Sequence, residues 1–161
     1  MTYWHTLPHS LRPSTTHTTW NLLTDGCLDA LTIKGDGDAL VKGGGAYGAS
    51  DKVVQHNGFG TVTIDGFTVD SFGKLYRSCG NCKNNGKARH VVIKDVKASS
   101  GKLLAGINSN YGDTATVSST CGTSVKQVCT EYTGNNNGDE PKSLSSGPSN
   151  ACKVPSSISK C

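Results

Sequence analysis

The stretch TVTIDGFTVDSFGKLYR (residues 61–77) is echoed by HVVIKDVKASSGKLLA (90–105), in which short β-prone runs return in the same order. Val62 aligns with Val91, Ile64 with Ile93, and Gly73-Lys74-Leu75 with Gly101-Lys102-Leu103, the two triplets lying 28 residues apart. The segment between the copies, SCGNCKNNGKA (78–88), is an insert, so the underlying repeat is shorter than that offset. Asp29, Lys52 and Lys74 give the repeat directly, at separations of 23 and 22 residues. ALTIK (30–34), ALVK (39–42), KVVQ (52–55) and KLLAGI (102–107) are further runs of this kind, most of them bounded by Gly, Asp, Asn or Ser. Such runs read as strands between turns. No helical period is sustained over three turns. A repeat of about 22 residues made of three short strands is that of a parallel β-helix. Residues 28–117 are therefore expected to form a right-handed parallel β-helix, an all-β fold.

The architecture explains the composition. One coil cannot bury its own apolar side chains, so Val, Ile and Leu of successive coils must stack into a shared interior while the backbone pairs coil to coil. The 20 glycines supply sharp corners, and the low aromatic content of 6% suits a narrow interior. Residues 1–20 are read as an irregular segment, 21–120 as the β-helix domain and 121–161 as a Ser-, Gly- and Cys-rich tail capping its end.

Seven cysteines point to an oxidising compartment, hence an extracellular protein. Met1–Trp20 has neither a charged start nor an apolar run, so no signal peptide is present in this chain. No run approaches the ~18 apolar residues of a membrane span. Lys and Arg outnumber Asp and Glu by 16 to 12, an excess that suits an anionic polymer but falls short of a nucleic-acid-binding stripe. Cys79 and Cys82 form a CxxC in a Gly/Asn loop. A zinc ribbon needs a second CxxC and a redox pair a helix start, so a local disulfide is expected. In the tail, Cys121 is expected to pair with Cys129 and Cys152 with Cys161, one of three possible pairings. Cys27, the odd one, is read as a free thiol, and His56 as a turn or coil residue.

The strings DALTIK (29–34), GGGAYGASDKVVQHNGFGTVTIDGFTV (43–69), GKLYRSCGNC (73–82) and INSNYGDTATV (107–117) resemble the fungal and oomycete branch of the pectate lyases of the third polysaccharide-lyase family. The resemblance covers about residues 21–161 and implies a monomeric lyase that cleaves polygalacturonate, the backbone of pectin, by calcium-assisted β-elimination. It also implies that two Lys and one Arg on successive coils flank calcium-binding carboxylates. Carried over residue by residue, these are Lys52, Lys74 and Arg77, with Asp29 as a metal ligand. Arg77 is expected to be the base and Lys52 and Lys74 to hold the substrate carboxylate. An Arg base needs its proton affinity weakened, so the expected optimum is alkaline. Lys102, in a second GKL context, is left as structural.

One departure matters. The family's Glu-Asp pair ahead of the ALTIK-like strand reads Leu28-Asp29 here, and Met1–Trp20 shows no earlier coil that would carry a further Asp. The alternative reading is therefore a catalytically weakened paralogue that serves as an extracellular pectin-binding module.

Overall fold

The computed structural model describes residues 18–22 and 29–161. Within them the strands are β1 (Thr18–Leu22), β2 (Asp29–Ile33), β3 (Ala39–Tyr47), β4 (Lys52–His56), β5 (Gly60–Asp65), β6 (Thr68–Ser78), β7 (Arg89–Lys94), β8 (Lys97–Asn108), β9 (Thr114–Ser118), β10 (Cys121–Thr133), β11 (Lys142–Ser146) and β12 (Cys152–Lys153). All belong to one curled, mostly parallel sheet. Three faces stack in parallel. The first is built by β2, β4 and the later parts of β6, β8 and β10. The second is β3, β5, β7, β9 and β12, and the third joins the end of β3 to the starts of β6, β8 and β10. Each circuit of three faces is one coil of a parallel β-helix.

The interior follows from the register. Val41, Ile64, Ile93 and Val117 pair in sequence down the second face and are all buried. On the first face Leu31, Val54, Tyr76, Ala105 and Cys129 form a second inward ladder. Each buried aliphatic side chain contributes about 1.5–3 kcal/mol by leaving water. Two corners recur with positive φ in four coils each, at Gly43, Gly66, Asp95 and Ser119 and at Gly48, Ser71, Ser100 and Ser124. The early coils use Gly there, and the later ones use Ser and Asp, whose short polar side chains can bond the local backbone.

Five expectations are corrected. Val62 and Ile64 do pair with Val91 and Ile93, but the GKL triplets do not align: Phe72 pairs with Gly101 and Lys74 with Leu103. A one-residue slip would turn every side chain to the opposite face, and Phe72 packs where a Cβ on Gly101 would lie 2.0 Å from its Cζ. Second, the β-helix does not end near residue 120. β10 pairs with β8 from Cys121↔Lys97 to Tyr132↔Asn108 and forms a further coil. Only beyond it does the chain turn back, with β11 antiparallel against the end of β10. Third, Cys121 bonds Cys161 and Cys129 bonds Cys152. An extended strand rises ~3.3 Å per residue, so Cys121 and Cys129, eight residues apart in β10, are carried away from each other rather than together. Fourth, His56 is a fully buried strand residue, with Nδ1 2.8 Å from the Tyr76 hydroxyl. Fifth, Thr18–Trp20, read as irregular, belong to β1, which pairs in parallel with β3. The Cys79–Cys82 bridge forms as expected. Residues 1–17, Cys27 and Leu28 lie outside the described residues.

Candidate active site

Parallel pairing of β2, β4 and β6 puts Asp29 opposite Lys52 and Lys52 opposite Lys74, so the three form one column on the outer surface. The repeat spacing already required this. Lys52 Nζ lies 3.0 Å from Asp29 Oδ1. Asp51, which sequence reasoning passed over, bridges both lysines: one oxygen bonds Lys52 and the other lies 3.1 Å from Lys74 Nζ. Its only signal in the sequence is an Asp directly before a column Lys. Burial opposes the charged form of Lys52, but its bonds to Asp51 and Asp29 outweigh that and raise its pKa. Burial likewise works against the Asp51 carboxylate, and the two lysines outweigh it and hold the group below its ordinary range. Side-chain exposures of 18% for Lys52 and 31% for Lys74 leave both ammonium groups within reach of a polymer lying along the column.

Arg77, three residues further along β6, belongs to the next outward row, opposite Gln55 and Gly106. The residue is only 7% exposed. Its Nη1 donates to Asn108 Oδ1 at 2.9 Å, and its Cζ stands 4.0 Å from the centre of the Tyr132 ring. Burial lowers its proton affinity, more than the nearby Tyr132 and Asp113 restore it. Thus the structure gathers Asp29, Asp51, Lys52 and Lys74 into one cluster, while the guanidinium of Arg77 reaches toward later coils. Neither Asn108 nor Tyr132 carries a sequence signal, because they lie 31 and 55 residues from Arg77. Lys102 is exposed and one residue out of the column register, which passes from Lys74 to Leu103.

Calcium, implied by the resemblance, can be tested against these side chains. Among the described residues no three His, Cys, Asp or Glu groups converge in a manner that could hold a metal ion. Both carboxylates of the column are taken up by lysine. Calcium takes about six to eight oxygens, so this donor set does not fit the ion by itself.

The fold and the column together define a parallel β-helix protein with a lysine-rich site on one outer face. A model of the family described as "Pectate lyase" matches residues 14–139. The chain is 60% identical to a probable pectate lyase D of Neosartorya fischeri over 137 residues, covering 84% of this chain and 56% of the relative. It is also 60% identical to pectate lyase E of Emericella nidulans over 141 residues, covering 86% and 55%. Among solved structures, the catalytic domain of pectate lyase PelI from Erwinia chrysanthemi superposes with a TM-score of 0.76 at 34% identity, covering 88% of this chain and 70% of that one. PelI in complex with tetragalacturonic acid gives 0.75 at 36% identity, covering 88% and 51%. The chain belongs to the pectate lyase family, in its third polysaccharide-lyase branch. It spans about half the length of the curated relatives it matches.

Proposed function

We propose that this chain is a secreted, monomeric pectate lyase that cleaves polygalacturonate by β-elimination. The observation that carries the reading is the stacked pair Lys52 and Lys74 on an open face, with a buried Arg77 three residues further along β6. Lys52 and Lys74 bind the carboxylate of the reacting galacturonate and withdraw charge from C5. Arg77, in the neutral form left when its own proton has passed to solvent, takes the C5 proton. The C5–H electron pair becomes the C4–C5 double bond while O4 leaves with its bonding pair and takes a proton from solvent. Burial weakens the hold of Arg77 on its own proton, and an alkaline optimum follows. Three disulfides support secretion into an oxidising space. Asp29, the metal ligand that the resemblance implies, is paired with Lys52 and has no converging acidic partners among the described residues, so no step of the reaction is assigned to a metal.

Purified protein incubated with polygalacturonate at alkaline pH, with calcium and with chelator, should release unsaturated uronide detectable by absorbance, and Arg77→Ala should abolish it. Full activity in Arg77→Ala would refute the choice of base. The second reading, a weakened pectin-binding module, is favoured by the lack of a converging acidic group among the described residues. It predicts retention on immobilised polygalacturonate without turnover.

A further inference from the structure

Arg77 is held by groups from two later coils, and each group is itself fixed. Asn108 is fully buried at the end of β8. Its backbone N–H donates to Asp113 Oδ2 at 2.9 Å, and its side-chain Nδ2 donates to the Cys79 carbonyl at 2.9 Å. With Nδ2 committed to that carbonyl, Oδ1 is left to accept from Arg77 Nη1 at 2.9 Å. A side-chain amide offers a donor on one side and a neutral acceptor on the other. On the following coil Tyr132, opposite Asn108 in register, lays its ring against the guanidinium. The gap the arginine fills exists because residue 106 is Gly: a Cβ there would stand 2.8 Å from Arg77 Cδ and 3.3 Å from the Tyr132 ring.

We propose that Asn108 and Tyr132 are positioning residues that clamp the Arg77 guanidinium in its working orientation, Asn108 through a neutral hydrogen bond and Tyr132 through its ring face. This rests on the reading of Arg77 as the base. The chemistry explains the choice of amide. The amide orients the guanidinium without adding a negative charge beside it, whereas a carboxylate at residue 108 would orient it while holding its proton. Tyr132 restricts rotation of the planar group by stacking, a contact an aromatic ring makes and an aliphatic chain does not. A misaligned base loses rate rather than substrate affinity, because the lysine column that holds the carboxylate is untouched.

The test compares kcat, KM and the pH profile of uronide release for the full chain and for Asn108→Ala, Asn108→Asp, Tyr132→Leu, Tyr132→Phe and Arg77→Ala, each checked for a cooperative melt. Asn108→Ala and Tyr132→Leu should lower kcat by about 10- to 100-fold with KM within about twofold, and Tyr132→Phe should recover most of the loss. Asn108→Asp should move the alkaline rise in rate upward by about one pH unit. A structural role alone would leave that limb in place. Should the Asn108 variants fail to fold, the half-buried Tyr132 pair carries the test. Wild-type kcat in Tyr132→Leu and in any folded Asn108 variant, with Arg77→Ala inactive, would overturn the clamp and leave the base assignment standing. An active Arg77→Ala, or a wild-type chain without lyase activity, would overturn both.

Discussion

Asp51 Oδ1 lies 3.1 Å from Lys74 Nζ across two neighbouring coils, while the other oxygen of the same carboxylate bonds Lys52. One acid thus restrains two ammonium groups that the proposed reaction needs for a uronate. Asp51→Asn should leave those cations less neutralised and tighten retention on polygalacturonate at low salt by several-fold, an effect that fades above about 0.5 M salt as screening sets in. Stability should fall by no more than about 1 kcal/mol, since the pairs are partly exposed. Affinity electrophoresis in polygalacturonate gels would measure the first effect, and weaker retention at low salt would contradict it.

Gly101 faces the ring of Phe72 on the coil before it, and a Cβ there would come within 2.0 Å of Phe72 Cζ. Gly101→Ala should destabilise the protein by about 1–3 kcal/mol through overpacking. Combining it with Phe72→Leu should return part of that loss, as contacting residues couple. Urea unfolding of the two single variants and the double variant decides it, and strict additivity would argue against the contact.

His56 is fully buried, and burial first, then the charge of Arg89, pushes its pKa down to about 4. Its Nε2 has no hydrogen-bond partner among the described residues, so an added proton meets no acceptor. The unfolded chain takes up this proton near the ordinary pH of about 6.5, whereas the folded chain resists until about 4. Between those values the unfolded state binds more protons, so stability falls as pH drops through the window. The loss attributable to His56 should reach about 3 kcal/mol below pH 4. In His56→Gln the slope of stability against pH over that window should flatten, as read from denaturant midpoints.

The Cys121–Cys161 bridge closes a loop with a sequence separation of 40. In the chain-entropy account, losing such a loop constraint costs about 4 kcal/mol. Cys161→Ser should therefore release the C-terminal segment at a lower denaturant concentration than the intact protein. Non-reducing peptide mapping should recover the 121–161 and 129–152 linked pairs, and recovery of a 121–129 pair would refute the connectivity.

Much of the fold could be read from the chain because a solenoid writes its contacts as a period. The separations of Asp29, Lys52 and Lys74 convert directly into strand register, and the structure stacks them accordingly. Val62 and Ile64 met their partners for the same reason. The period failed where inward positions are small: β10 places Gly122 and Cys129 opposite the inward Ala98 and Ala105, while Thr130, in the outward row of Gly106 and Arg77, is buried under β11, so no aliphatic rhythm is offered.

By itself the sequence determined the coil-on-coil architecture, the lysine column and the Cys79–Cys82 bridge, because each rests on spacing along the chain. Tertiary structure alone decided the rest. The bridging of Lys52 and Lys74 by Asp51, the enclosure of Arg77 by Asn108 and Tyr132, and the tail connectivity all depend on which side chains meet across coils. Such meetings join residues 31 or 55 positions apart, as for Arg77 with Asn108 and Tyr132. Their geometry is set by strand direction, corner angle and the room left at a glycine, and no local pattern in the chain encodes those quantities.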